Sequence, residues 1–480
     1  MLPPDSRQSV AELLARPGPV AFVVESRAGE DALGPLLHHL DARRRLVFRA
    51  PGLTDLENLA GFRRAAEEAL GVNVEGTPDW TEVLDATFDS GPLILILDRP
   101  RLLARANRQF WRAVGRSWIR VRRGGTRSAL IMVDDRYGLA AALGGSGSPF
   151  SAPADDLRPG PRIPPLDVVE LPPRMPWDMS ESGAFWGGGD LLRAWSFLGT
   201  NPVRWPRVAD GRGPEAALKT LMANPHRAGE SPDRLLERVV QTPHRYASML
   251  RALSQGALPR RQLSQAVDVS STTRSASGPY LKRLEELGLV SVERPLDAPP
   301  GARRSRYRMT DPYEALWWSC IHPLGARIVT EPDWDRVWAE HIRPRLHGHV
   351  VSVLPIVVRA FLWRFARARF GAPPREVGPL WGEGYDFPAA ATLRNGAVCY
   401  AHIHGGRSKA GMAQLRRLET QMSEVRYGFG RQARLRLIVA LSGFDDELRR
   451  EAARSGLIRL LGPDELGNGG PGTVGDSLSP

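Results

Sequence analysis

Residues 18–40, GPVAFVVESRAGEDALGPLLHHL, set an apolar run, a short loop and a helix in the frame G-x-x-x-x-G-K-[ST]. In that frame successive backbone N–H groups cradle phosphates and a Lys reaches the β and γ oxygens. The chemistry here is altered. Val24 stands at the first Gly position, Gly29 keeps the second, Glu30 occupies the Lys position and Asp31 the hydroxyl position. A carboxylate about 4 Å from a phosphate oxygen repels it by roughly 4 kcal/mol at an effective dielectric near 20, and a Lys attracts by a similar amount. The exchange predicts a loss of several kcal/mol of nucleotide affinity. Read alone, the same residues also describe a buried parallel strand and a helix whose first turn accommodates Glu30 and Asp31 through the macrodipole.

A second element fits the same frame. LILILDRP, residues 93–100, is an apolar strand ending in Asp98, a residue able to hold Mg²⁺ through water. Arg99 stands where a carboxylate would polarise the attacking water, and ALIMVDDR ends in Asp134 and Asp135 where a polar sensor is normal. With Lys, hydroxyl and catalytic carboxylate all replaced, the charge of a phosphoryl transition state would go unneutralised. ATP hydrolysis is not expected.

Residues 243–310 carry a different chemistry. Tyr246–Gln255 reads as a helix, RRQLSQAV as a short second helix, and RSASGPYLKRLEELGL as a third that places Leu281, Leu284 and Leu287 on one face. Gly288 ends it. LVSVERP and RSRYRMTD follow as two strands about the turn-rich PLDAPPGARR. Three helices and a hairpin in this order predict a winged helix-turn-helix, whose third helix enters the major groove while the wing follows the backbone. The candidate contacts are Ser270, Ser271, Thr272, Thr273, Arg274, Ser277, Tyr280, Lys282 and Arg283 on or before the third helix, and Arg303, Arg304, Arg306 and Arg308 on the wing. Small polar residues suit phosphates and base edges, and arginines suit phosphates. Such modules also serve as protein-interaction hinges. Arg101, Arg105, Arg108, Arg112 and Arg116 recur at helical spacing, which predicts one cationic stripe on a helix.

The elements that must position these residues follow from the apolar pattern. Runs at 21–25, 46–49, 93–97 and 129–133, separated by helical stretches, predict a parallel sheet covered on both faces, with 166–171 as a further strand. Residues 191–256 and 313–370 read as helical, 377–462 as mixed strand and helix, and the Gly-rich tail as disordered. The formal net charge is +12, and Lys219, Lys282 and Lys409 are its lysines, so the basic charge is almost wholly Arg. An excess of base over acid points to a polyanion, most simply nucleic acid. Cys320 and Cys399 cannot form a disulfide framework. No signal peptide and no apolar run of about 18 residues is seen, so a cytoplasmic setting without membrane association is expected.

In this order the elements resemble the archaeal-type AAA-family ATPases that carry a nuclease-like C-terminal domain. FLGTNP (197–202) is similar to the LGG-x-P segment that follows the ATPase core in that family. YRMTDPYEALWW (307–318) is similar to its aromatic Y-x-h-x-D-x-h-h-x-F-W signature, with Trp317 and Trp318 at the aromatic pair. The resemblance implies an α/β fold: a degenerate P-loop NTPase-like parallel sheet core (1–175), a helical lid (176–241), the winged helix-turn-helix (242–311), a restriction-endonuclease-like α/β C-terminal domain (312–465) and a tail (466–480). It also implies an Asp on one strand and Glu-x-Lys on the next, binding Mg²⁺ and activating water. The Asp matches Asp386; the Glu and Lys positions fall on His402 and His404. Odd positions of a strand share a face, so Asp386, His402 and His404 read either as a site for Zn²⁺ or a similar ion or as residual histidines of a decayed site.

With both inherited centres altered, the sequence predicts a catalytically inactive, ATPase-derived DNA-binding or scaffold protein that holds duplex DNA through the winged helix and basic faces. No cofactor is expected. The alternatives are a weak or unusual ATPase or metal-dependent nuclease, using ATP with Mg²⁺ at Asp98 or a metal at the C-terminal site, and an interaction module for an acidic protein partner.

Overall fold

The computed structural model describes residues 10–25, 33–38, 40, 44–134, 139, 143, 167–170, 175–179, 186–201, 204–205, 213–223, 231–267, 277–299, 302, 304–325, 334–427 and 433–469. The chain divides into two units, Met1–Pro172 with Glu286–Gly288, and Pro173–Glu285 with Leu289–Pro480.

In the first unit every apolar run becomes a strand. These are β1 Val20–Glu25, β2 Arg45–Arg49, β3 Ile94–Asp98 and β4 Ala129–Asp134, joined by β5 Asp167–Glu170. All pairings are parallel and the order is β2-β3-β4-β1-β5. The helices are α1 Val10–Ala15, α2 Leu33–His38, α3 Asp55–Leu70, α4 Trp80–Asp89, α5 Pro100–Ala106 and α6 Phe110–Gly124. Successive strand residues face opposite sides. Ile94 and Ile96 join Phe22, Val24 and α1 in one core, while Leu95 and Leu97 join Phe62, Trp80, Phe110 and Trp118 in the other. That double coverage is why β3 and β4 are buried along their whole length. Thr54 with Glu57 and Asp79 with Glu82 form capping boxes that start α3 and α4.

The single cationic stripe expected over residues 101–116 is not formed. Asn107 has extended backbone and its side chain accepts from the Gln109 N–H at 2.7 Å, so the helix stops and restarts as α6. A side-chain amide that satisfies the backbone locally competes with helix continuation.

The second unit continues the numbering with α7 Gly188–Leu198, α8 Pro214–Ala223, α9 Pro232–Val239, α10 Pro243–Leu253, β6 Leu258–Pro259, α11 Arg260–Val267, α12 Ser277–Glu286, β7 Val290–Glu293, β8 Arg306–Met309 and α13 Pro312–Leu316. Then come α14 Arg343–Phe370, β9 Pro374–Gly382, β10 Tyr385–Leu393, β11 Val398–His404, α15 Met412–Glu424, β12 Arg434–Ala440, α16 Asp446–Arg454, β13 Ile458–Leu461 and α17 Pro463–Asn468. Its larger sheet runs β13-β12-β11-β10-β9. It is antiparallel across β9, β10 and β11 and parallel across β11, β12 and β13. One face carries Ala389, Ala391 and Ala401, side chains small enough for the buried Val357, Val358 and Phe361 of α14 to pack in the same core. Phe387, Tyr400 and Ile438 face the other way, onto Leu415, Leu418 and Met422 of α15. The stretch Trp334–Phe370 is long and apolar enough to meet the composition of a membrane span, which the count of apolar runs did not anticipate, yet 56% of its apolar window is buried.

Helices α7 and α8 share this core. Leu191, Leu192, Trp195 and Leu198 of α7 belong to the same cluster as α14 and the sheet. The Gly189 N–H donates to Asp464 Oδ1 at 2.9 Å. A Cβ on Gly467 would lie 1.6 Å from the Gly188 carbonyl oxygen, so only glycine allows α7 and α17 to approach.

The two segments that carried the family resemblance meet at Asp311. Its Oδ2 accepts from the Thr200 N–H at 3.0 Å and the Thr200 hydroxyl at 2.9 Å, and its Oδ1 accepts from the Glu314 N–H at 3.0 Å, capping α13. Arg204 pairs with the same carboxylate at 3.4 Å and lies 3.9 Å from the centre of the Tyr313 ring. Gly199 has φ +73° and an added Cβ would sit 2.6 Å from the Asp311 carboxylate oxygens. The conspicuous pattern is a buried joint.

Candidate nucleic-acid interface

Helices α10, α11 and α12 and the antiparallel sheet β6-β8-β7 occupy residues 243–310 in the order the sequence predicts. Leu250, Leu253, Leu263, Leu281, Leu284 and Leu287 are all buried. Thr273 and Arg274 before α12, with Ser270–Thr272, and Arg303 on the hairpin lie outside the described residues, as do Gly29, Glu30 and Asp31 of the first unit.

The rest of the candidate set divides sharply. Ser277 is buried and its hydroxyl lies 2.7 Å from that of Ser264, linking α12 to α11. The Tyr280 hydroxyl accepts from Arg245 at 2.6 Å, and its ring packs edge-on against Tyr246. Arg283 donates to the Val239 carbonyl at 3.4 Å. Lys282 is exposed, and with Arg283, Glu285 and Glu286 it leaves α12 without net charge.

The hairpin is moored on β9 and β10. The Leu296 N–H donates to the Pro379 carbonyl at 3.0 Å, and the Tyr385 hydroxyl to Asp297 at 3.1 Å. Arg304 donates to the Trp381 carbonyl and pairs with Asp297 at 3.5 Å. Arg306 pairs with Asp386 at 2.8 Å, its guanidinium 4.4 Å from the centre of the Trp381 ring. Arg308 bonds Glu293 at 2.8 Å and the Ser352 carbonyl at 3.0 Å. Glu293 also takes Arg359 at 2.6 Å. Burial alone would raise the Glu293 carboxyl, but Arg359 and Arg308 outweigh it and hold it below the usual carboxylate range. Burial pulls Arg308 down from the usual guanidinium value.

Two cavities result, and they share Arg306. The larger, about 820 Å³, is lined by Arg260, Arg261, Arg294, Arg304 and Arg306 with Tyr307 and Trp381, and no acidic side chain among the described residues lines it. Arg260, Arg261 and Arg294 are exposed and make no ion pair among the described residues. The smaller, about 360 Å³, brings Asp386 and His402 together with Glu293, Arg306, Arg359, Arg417 and Gln421. His404 is not among its lining residues, and its Nε2 lies 3.0 Å from the Ser408 carbonyl. Burial, then Arg417 and His404, push His402 down to about 4, so the ring is neutral near pH 7. Among the described residues no group of three His, Cys, Asp or Glu side chains is placed to hold a metal. A cation beside Asp386 would face the guanidinium groups of Arg306 and Arg417. The arrangement suits an anion.

The sequence pointed to Asp386, His402 and the hairpin arginines but missed Arg260, Arg261, Arg294, Trp381, Arg359 and Arg417. The pair Arg260–Arg261 at a helix start was visible in the sequence. The meeting of Trp381 with Arg306 depends on the hairpin docking on β9.

In the first unit, β3, β4 and β1 lie side by side and end on Asp98, Asp134 and Glu25, all buried. Arg49 pairs with Asp98 and Arg101 with Asp134. Arg99 has φ +58°, a left-handed conformation unfavourable for a side chain with a Cβ, at the turn from β3 into α5. The carboxylate expected to receive Mg²⁺ is therefore already bound to a guanidinium.

No protein-family profile and no curated protein matches the sequence. Among solved structures the chain is similar to a Walker-type ATPase of Pyrococcus abyssi, at 13% identity and a TM-score of 0.44 over 62% of this chain and 90% of that one. It is similar to the ORC2 protein of Aeropyrum pernix, at 14% identity and a TM-score of 0.34 over 73% and 96%. It is also similar to the ORC1 protein of Aeropyrum pernix in complex with DNA, at 14% identity and a TM-score of 0.28 over 70% and 95%.

Proposed function

We propose that this chain is a DNA-binding or scaffold protein without ATPase or nuclease activity, and that residues 243–310 are a winged helix-turn-helix whose duplex-binding face is the arginine trough rather than α12 alone. One observation carries this reading: Arg260, Arg261 and Arg294, which make no ion pair among the described residues, converge beside Trp381 with Arg304 and Arg306, whose partners Asp297 and Asp386 are not among the described residues lining the cavity. Guanidinium groups so arranged suit successive phosphates, which fix position on a duplex without reading its sequence. Lys282 of α12 is then left to meet base edges.

The loss of catalysis rests on separate grounds. Asp98 is paired with Arg49, Glu30 stands at the Lys position of the loop, and Asp386 is paired with Arg306 where an acid-and-base pair would be needed. The residues present do not fit Mg²⁺ at either centre, and no step is assigned through one.

The test is fluorescence anisotropy with duplex DNA at two salt concentrations. Each phosphate contact contributes about 0.9 to the slope of log K against log salt. The variant R260A/R261A/R294A should bind more weakly, with a slope reduced by about 2.7. Unchanged affinity and slope would discard the trough as the interface. Phosphate release from ATP, and plasmid cleavage with Mg²⁺, Mn²⁺ or Zn²⁺, should both stay at background.

A further inference from the structure

We propose that the cavity of about 360 Å³ holding Asp386 and His402 is a receptor for a phosphate monoester, and that its occupant is the phosphorylated end of a strand lying in the adjoining trough. The receptor is argued from the cavity itself; the occupant rests on the nucleic-acid reading above.

The charges decide the sign of the ligand. Arg306, Arg308, Arg359 and Arg417 line the cavity against Glu293 and Asp386. Glu293 is taken by Arg308 and Arg359 together, and Asp386 by Arg306. Arg417 makes no ion pair among the described residues and is exposed on α15, one helical turn before Gln421, whose amide can also donate. Arg306 gives one N–H to Asp386, and its guanidinium carries five, so an incoming oxygen need not break that pair.

Size and shape decide the form of the ligand. About 360 Å³ lies at the small end of ligand pockets. That volume is on the scale of a terminal nucleotide rather than of a duplex running through. A monoester carries a charge of about −1.5 to −2 at neutral pH, more than the single charge of a diester, and an oxyanion flanked by guanidinium groups forms short, charge-assisted hydrogen bonds. Arg306 lines both cavities, so a strand held along the trough meets the smaller cavity at a shared guanidinium.

The experiment uses the full chain. Inorganic phosphate is titrated by calorimetry into the wild type and into Arg417→Gln, which keeps a polar side chain of similar reach on an exposed helix face; circular dichroism confirms the fold. Two oligonucleotide duplexes that differ only in a 5′-phosphate or 5′-hydroxyl are then compared by anisotropy in the wild type, in R417Q and in R260A/R261A. Phosphate should bind the wild type and be lost in R417Q. The 5′-phosphate should strengthen duplex binding by about tenfold, the scale of one hydrogen bond to a charged group. That advantage should vanish in R417Q and persist in R260A/R261A, where both duplexes weaken alike. No phosphate binding, or binding undiminished in R417Q, overturns the receptor. Phosphate binding with equal affinity for the two duplexes overturns the strand-end occupant. Phosphate binding with neither duplex bound overturns the trough reading and leaves the receptor standing.

Discussion

At the carboxyl edge of the parallel sheet, Arg49 and Arg101 each face a buried carboxylate; in the trough beside Trp381, Arg260, Arg261 and Arg294 face none among the described residues. The same side chain, abundant throughout, has opposite meanings in the two places. On the sheet edge a guanidinium lies next to each acid and neutralises it. In the trough Arg260, Arg261 and Arg294 make no ion pair among the described residues, and these are the groups the proposed polyanion would meet. The number of carboxylates within reach, rather than the number of arginines, separates architecture from binding.

The comparison breaks first where an internal pair is opened. Glu293→Ala leaves Arg308 and Arg359 buried without their shared carboxylate, and removal of one partner of a buried pair costs about 3–5 kcal/mol. Urea unfolding of the second unit, followed by its Trp fluorescence, should show a loss of that size; a change under about 1 kcal/mol would mean that the pair is no part of the architecture.

Acid should separate the two units next. His349 is buried with Nε2 2.7 Å from the Ser196 carbonyl, and burial pushes it down to about 4. The unfolded chain binds this proton near pH 6.5 and the folded chain does not, so between pH 6.5 and about 4 the unfolded state holds more protons. Stability is therefore full above pH 6.5 and falls as pH drops through that window, by an amount on the order of 3 kcal/mol. A midpoint of unfolding that stays flat over this window would contradict the burial of a neutral ring.

Asp134→Ala should cost somewhat less, about 2 kcal/mol, because Arg101 keeps 30% of its side chain exposed and can turn toward water. The loss should appear in the transition of the first unit and leave DNA affinity unchanged. The smallest change in stability belongs to the trough: Arg294→Ala should move the unfolding free energy by no more than about 0.5 kcal/mol while lowering the salt slope of DNA binding by about 0.9. A variant that unfolds the protein instead would move Arg294 to the architectural side.

Much of the scaffold was legible in the residues. Runs such as LILIL and ALIMV have the length and continuity of strands buried on both faces, and they end on acids as the structure has it. The helices and hairpin of 243–310 were readable because their leucines recur at helical spacing and their turns are marked by Gly and Pro. Local chemistry misled where one side chain outweighed periodicity, as when Asn107 interrupted the arginine stripe. The site was legible only in part. Asp386 and His402 were drawn together by family resemblance, and they do line one cavity. The arginines around them come from strands and helices far apart in sequence, and no spacing rule announces Arg306 against Asp386 across 80 positions. The motif around Asp311 was conspicuous for a reason the sequence could not state: it is where two distant segments lock.

The contact between Gly189 and Asp464 spans 275 positions. During synthesis at about 5–20 residues per second, α7 therefore waits roughly 15–55 s for the backbone it must press against. Throughout that interval the face of α7 that meets α17 has no lasting cover, although α8, α13 and α14 can already pack on the rest of it. The second unit should consequently close late and all at once, and a ribosome stalled before residue 463 would display a complete parallel sheet followed by a long, unfinished and protease-sensitive remainder.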